Sequence, residues 1–119
     1  MVIPMKAIDV SQHIILIPNH RLDLAGANVI KQQFISLLEK NYNLWIIDMA
    51  NVEFIDSSGL SALVIGLKKA REHGCNLAIC NLNPTARLVF EITQLDRVFQ
   101  IFDSIDDVFL DSHGKLITA

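Results

Sequence analysis

A chain of 119 residues is long enough to bury one real core and too short for two domains of ordinary size. Its 51% hydrophobic and 19% charged content is that of a compact domain, without a disordered or low-complexity tract. The formal charge of −3, with acids and bases interleaved, leaves no basic stripe for a nucleic acid; no apolar run nears the roughly 20 residues that span a bilayer, and the amino terminus lacks a secretory pattern, so no direct nucleic-acid binding, no membrane insertion and a cytoplasmic location are expected.

In chain order, residues 6–9 and 13–17 form a strand pair that turns back at Ser11 and Gln12. Asp23 then caps a helix whose inward face carries Ala27, Ile30, Phe34, Leu37 and Leu38, running to about Glu39 and ending at Asn41. Residues 44–48, Leu-Trp-Ile-Ile-Asp, are a short apolar run that suits a strand buried on both faces. Residues 49–55 link it to a helix over 58–73, and residues 76–80 return as a strand, which makes a β-α-β crossover with parallel neighbours and a right-handed connection. Asn83 and Pro84 open a third helix with Ala86, Val89 and Phe90 on its apolar face, ending near Thr93. A strand over 98–102 precedes Asp103 and Ser104, which cap a last helix carrying Ile105, Val108 and Phe109. The expected architecture is a single α/β domain over residues 1–119, a mixed sheet of about five strands with about four helices, frayed at 1–5 and 112–119.

The segment Phe54-Ile55-Asp56-Ser57-Ser58-Gly59-Leu60 places two hydroxyls and a carboxylate at the start of the second helix. Free backbone N–H groups and the positive end of the helix dipole there suit a cap, and they also suit a phosphate carried by a hydroxyl. Taken by itself, the motif reads first as an ordinary cap.

A wider pattern adds to it. The string IIDMANVEFIDSSGL over residues 46–60 resembles the signature of the STAS family, whose bacterial regulators are anti-sigma factor antagonists. ITQLDRVFQIFDSIDDV over residues 92–108 resembles the family's closing segment, Asn81-Leu82-Asn83-Pro84 the turn before its third helix, and Leu22-Asp23 its first loop. The resemblance covers nearly the whole chain and implies the same architecture. It also implies a partner-switching cycle. In that cycle the unmodified protein binds an anti-sigma factor that is also a serine kinase and so frees a sigma factor. Phosphorylation ends the binding, and a serine phosphatase restores it. The phosphorylated residue follows the aspartate, which is Ser57 here, with Ser58 as the alternative. ATP and magnesium belong to the kinase, so no cofactor of the chain's own is implied.

Phosphorylation adds about −1.5 to −2 charges at neutral pH, a large local change beside Asp56. Asp56 itself reads first as the cap, with orientation of the serine or contact with the kinase as further roles. With Leu60, Leu63, Val64 and Leu67 turned inward, helical geometry turns Ser61, Ala62, Ile65 and Lys69 outward. The resemblance implies a partner surface at Asp23, Asp56, Ser58 and Gly59, and helical geometry extends it to Ser61, Ala62 and Ile65. The chain departs from the family at His20-Arg21, where a Gly and an acidic residue often precede Leu-Asp. That adds a positive charge to a loop the resemblance turns toward the partner, and it leaves open whether Asp23 does more than cap.

Nothing in the sequence suggests catalysis. There is no glycine-rich phosphate loop or nucleophile elbow, and Ser57 has no general base close by in sequence. The four histidines and the two cysteines, Cys75 and Cys80, show no metal-ligand spacing, and a disulfide is not expected. An alternative role is a scaffold or accessory STAS subunit of a stress-signalling complex or a lipid-transport system. A small enzyme or nucleotide-binding protein is a third.

Overall fold

Alternation along the central strands divides their side chains between two buried faces. Leu16, Trp45, Ile47, Leu77 and Ile79 point to one side, and Ile15, Ile46, Ala78 and Cys80 to the other. The computed structural model describes the backbone of residues 5–118 and the side chains of residues 5–111. Strands β1 (Met5–Val10) and β2 (His13–Pro18) form the antiparallel hairpin, and β2, β4 (Leu44–Asp48), β6 (Asn76–Cys80) and β7 (Gln100–Phe102) continue in parallel. The sheet order is β1-β2-β4-β6-β7. On the larger face lie α1 (Leu24–Leu37), α2 (Ser57–Glu72) and α3 (Pro84–Ile92); α4 (Ile105–Thr118) covers the other through Val108, Ile105 and Phe109.

The mixed five-stranded sheet and four helices are those expected, and β4-α2-β6 is a crossover between adjacent parallel strands. Three features differ. Residues 52–55, read as part of a link, form strand β5 (Val52–Ile55), which pairs in parallel with β3 (His20–Leu22) as a separate two-stranded ribbon. Residues 98–99, read as strand, follow a 3-10 turn over Leu95–Arg97 instead. Phe99 is drawn into the core there, its ring edge-on to Phe90 with centroids 5.8 Å apart, so pairing with β6 begins only at Gln100. The first helix also stops at Leu37, two residues before the expected Glu39. The fraying expected at 1–5 and 112–119 falls mostly outside the residues whose side chains are described.

Candidate functional site

The β3-β5 ribbon determines where the site lies. Its register sets Leu22 beside Ile55, so the next residues, Asp23 and Asp56, open α1 and α2 side by side. Leu22 is the buried pivot: its carbonyl accepts from Asp56 N–H at 3.3 Å, and its side chain is 1% exposed. A third helix start is tied to the same place. Asn83 caps α3 by accepting from Ala86 N–H at 2.8 Å, and its Nδ2 donates to the Val52 carbonyl at 3.0 Å. Three helix amino termini therefore converge on one small ribbon.

Asp56 is a working cap: its Oδ1 accepts from the N–H groups of Ser58 at 2.9 Å and Gly59 at 3.2 Å. Asp23 caps α1 from Gly26 N–H at 3.2 Å and also accepts from Arg21 Nε at 3.1 Å. These contacts hold the Asp23 carboxyl below its usual range, the Gly26 N–H contributing most and Arg21 next. A register shift in β3 lies between His20, which is left-handed at φ 56°, and Arg21. Beyond it the Arg21 guanidinium stacks over the Phe54 ring, 4.2 Å from its centroid. The departure at residues 20–21 thus builds an exposed cation on an aromatic beside the caps. Sequence reasoning missed this pair because β5 was not seen as a strand.

Ser57 is the first residue of α2 and is exposed, whereas Ser58 is half-buried. An open depression of about 440 Å³ begins at Ser57 and is lined by Leu60, Ser61, Val64, Ile65 and Leu95. The structure therefore brings Ser57, Ser61 and Ile65 together. Asp56 and Asp23 stand at the helix starts, engaged as caps.

Two members of the expected surface are corrected. Ala62 is fully buried, and Gly59 is buried against the Leu22 backbone, where a Cβ would stand 2.1 Å from the carbonyl oxygen. Neither offers a side chain to a partner. The buried face of α2 is Gly59, Ala62, Leu63, Gly66, Leu67 and Ala70, so Val64, expected inward, is 39% exposed. The helix is rotated relative to a reading by bulk because it packs on α1 through its small residues. A Cβ on Gly66 would meet the Phe34 ring at 2.4 Å. That Gly-Ala stripe was the available signal.

No residue lining the Ser57 depression is a base that could activate its hydroxyl. Burial pushes the Cys75 thiol up to about 11 and Cys80, with Asp48 nearby, to about 12, so both stay protonated and weakly nucleophilic at neutral pH. Among the described residues no group of three or more His, Cys, Asp or Glu side chains is placed to hold a metal ion, and no helix is long and apolar enough to cross a membrane.

Comparison with known proteins yields consistent relatives. A family model described as the STAS domain matches residues 5–108. A Thermotoga maritima protein provisionally designated an anti-sigma factor antagonist is 33% identical over 113 residues, 94% of this chain and 98% of that one. A crystal structure of a T. maritima protein carrying the same provisional designation superposes with a TM-score of 0.84 at 30% identity, covering 90% of this chain and 92% of that one. The anti-sigma factor antagonist SpoIIAA in its unphosphorylated form superposes with a TM-score of 0.79 over 93% of this chain and 96% of that one; at 17% identity this shows the shared fold alone.

Proposed function

The chain belongs to the STAS-domain family of anti-sigma factor antagonists, and from that premise we propose that it is a phosphorylation-controlled partner switch. Unmodified, it binds an anti-sigma factor that is also a serine kinase and so releases a sigma factor. Phosphorylation of Ser57 ends the binding, and a serine phosphatase restores it. The chain is a binding protein of the cytoplasm in this reading, with no catalysis or cofactor of its own.

The observation that carries the proposal is the position of Ser57: exposed, first in α2, at the mouth of an apolar depression, with the neighbouring N–H groups already engaged by Asp56. A phosphate there lies at the positive end of the helix dipole, so the fold tolerates it. A docked partner does not, because the phosphate must be desolvated against that partner beside the Asp56 carboxylate. The switch therefore acts on association and leaves folding intact. Ser57, Ser61 and Ile65 form the contact surface; Asp23, Asp56 and Ser58 shape it.

The test is a titration of wild type, Ser57→Ala and Ser57→Asp against candidate anti-sigma kinases, with and without ATP and Mg²⁺, and with the modified residue mapped by mass spectrometry. Ser57→Ala should bind like wild type and take no phosphate, and Ser57→Asp should bind on the order of a hundredfold more weakly. Phosphate found only at another residue, or equal affinity for native and fully modified protein, would overturn the reading.

A further inference from the structure

The Ser57 depression does not end near Ser57. At Val64 it meets a second opening of about 420 Å³, lined by Val64, Leu67, Lys68, Arg71, Glu72 and Val98. The helical positions along the joined groove are 57, 60/61, 64, 67/68 and 71, one stripe down α2, about 21 Å long at 1.5 Å per residue. Leu95 and Val98, from the 3-10 turn and its exit, form the opposite wall, and Arg71 Nη2 braces it by donating to the Val98 carbonyl at 3.3 Å. Val64 and Val98, 39% and 42% exposed, are the apolar rims.

We propose that this groove seats an amphipathic helix of the anti-sigma partner, lying antiparallel to α2 with acidic residues of its first turn over Lys68 and Arg71; this rests on the function proposed above. The length fits about four turns of helix, and a row of apolar side chains one turn apart is the standard means of holding one. Charge supplies the direction. Lys68 and Arg71 outnumber Glu72 at one end of the groove and leave it net positive in a chain whose formal charge is −3, so the complementary group is anionic. Acidic residues are favoured in the first turn of a helix, and the antiparallel arrangement brings that turn to the Lys68–Arg71 end. It also brings the partner helix's negative carboxyl end to Ser57. A phosphate at Ser57 then opposes the helix dipole of its own partner, which explains how modification at one end of the groove loosens the whole contact.

The test uses the full chain and the anti-sigma factor captured in the titration above. Lys68→Glu, Lys68→Glu/Arg71→Glu and Val98→Glu should each weaken binding by tenfold or more, and the wild type's loss of affinity with added salt should flatten in the charge-reversed proteins. Thermal unfolding of Lys68→Glu should match wild type, because Lys68 is exposed. On adding partner, the amide signals of Val64, Lys68, Arg71 and Val98 should shift together with those at Ser57. A wild type that binds in a Ser57-dependent way, with all three variants binding equally well, would overturn the groove and spare the switch. A wild type that binds no anti-sigma factor would overturn both. Self-association that disappears in Lys68→Glu would overturn the proposal in favour of a second copy as occupant.

Discussion

At Asp23 a single carboxylate is shared between the cap of α1 and the Arg21 side chain, and pH tests what its charge contributes. The charged form is favoured in the folded chain, chiefly by Gly26 N–H and then by Arg21, so its native pKa lies below the ordinary value of 3.8. A group shifted this way adds stability in full above its unfolded pKa and loses it as pH falls through the native value. Asp23→Asn keeps an oxygen for the cap but drops the charge. It should unfold at lower urea than wild type near neutral pH, and the gap should close as pH falls below about 4. A gap that stays constant down to about pH 2 would mean that the carboxylate charge is not what Gly26 and Arg21 hold. That Asp23, Asp56 and Asn83 are caps was legible in the sequence, because each precedes an apolar run at helical spacing. That their helices start around one ribbon was not, because the ribbon joins residues about thirty apart and leaves no local periodic trace.

At the scale of elements, α2 shows what apolar periodicity reveals and what it hides. The strands at Leu44–Asp48 and Asn76–Cys80 were readable to the residue, since parallel strands buried on both faces appear as uninterrupted apolar runs. The orientation of α2 was not. Ranking residues by bulk put Val64 inside and Ala62 outside, whereas close packing on α1 and on β3 selects Gly59, Ala62, Gly66 and Ala70.

Gly59 tests this account, because two effects of opposite sign meet there. Alanine favours a helix over glycine by about 1 kcal/mol. Its Cβ, however, would stand 2.1 Å from the Leu22 carbonyl oxygen, a backbone atom fixed by the ribbon. Overpacking of this kind costs about 1–3 kcal/mol. The clash should win, so Gly59→Ala should unfold at lower urea and weaken the Leu22–Asp56 contact that aligns Ser57. A midpoint equal to or above wild type would show that β3 and α2 are not packed this closely.

For the whole molecule, the two faces of the sheet carry different loads. The larger cluster, from Leu16 and Trp45 through Phe34, Leu63 and Phe90, holds α1, α2, α3 and every element that positions Ser57. The other face is closed by α4, where among residues 105–111 only Val108 is fully buried, at 1%, while Ile105 and Phe109 are half-covered and Leu110 is 68% exposed. Local opening free energies follow buried contact, so α4 should open well before the sheet or α2. In native-state hydrogen exchange, the amides of residues 107–111 should exchange first, those of α2 later, and those of Ile46, Ile47 and Ile79 last. Val108→Ala should widen the first gap, since loss of two methyl carbons from a buried site costs on the order of 1–3 kcal/mol, and it should leave protection across residues 60–70 unchanged. If residues 60–70 lost protection together with α4, the two clusters would be one cooperative unit. Independence of the faces bears on the switch proposed above: a partner on α2 and a phosphate at its first turn would act on one cluster while α4 opens against the other, on the far side of the sheet.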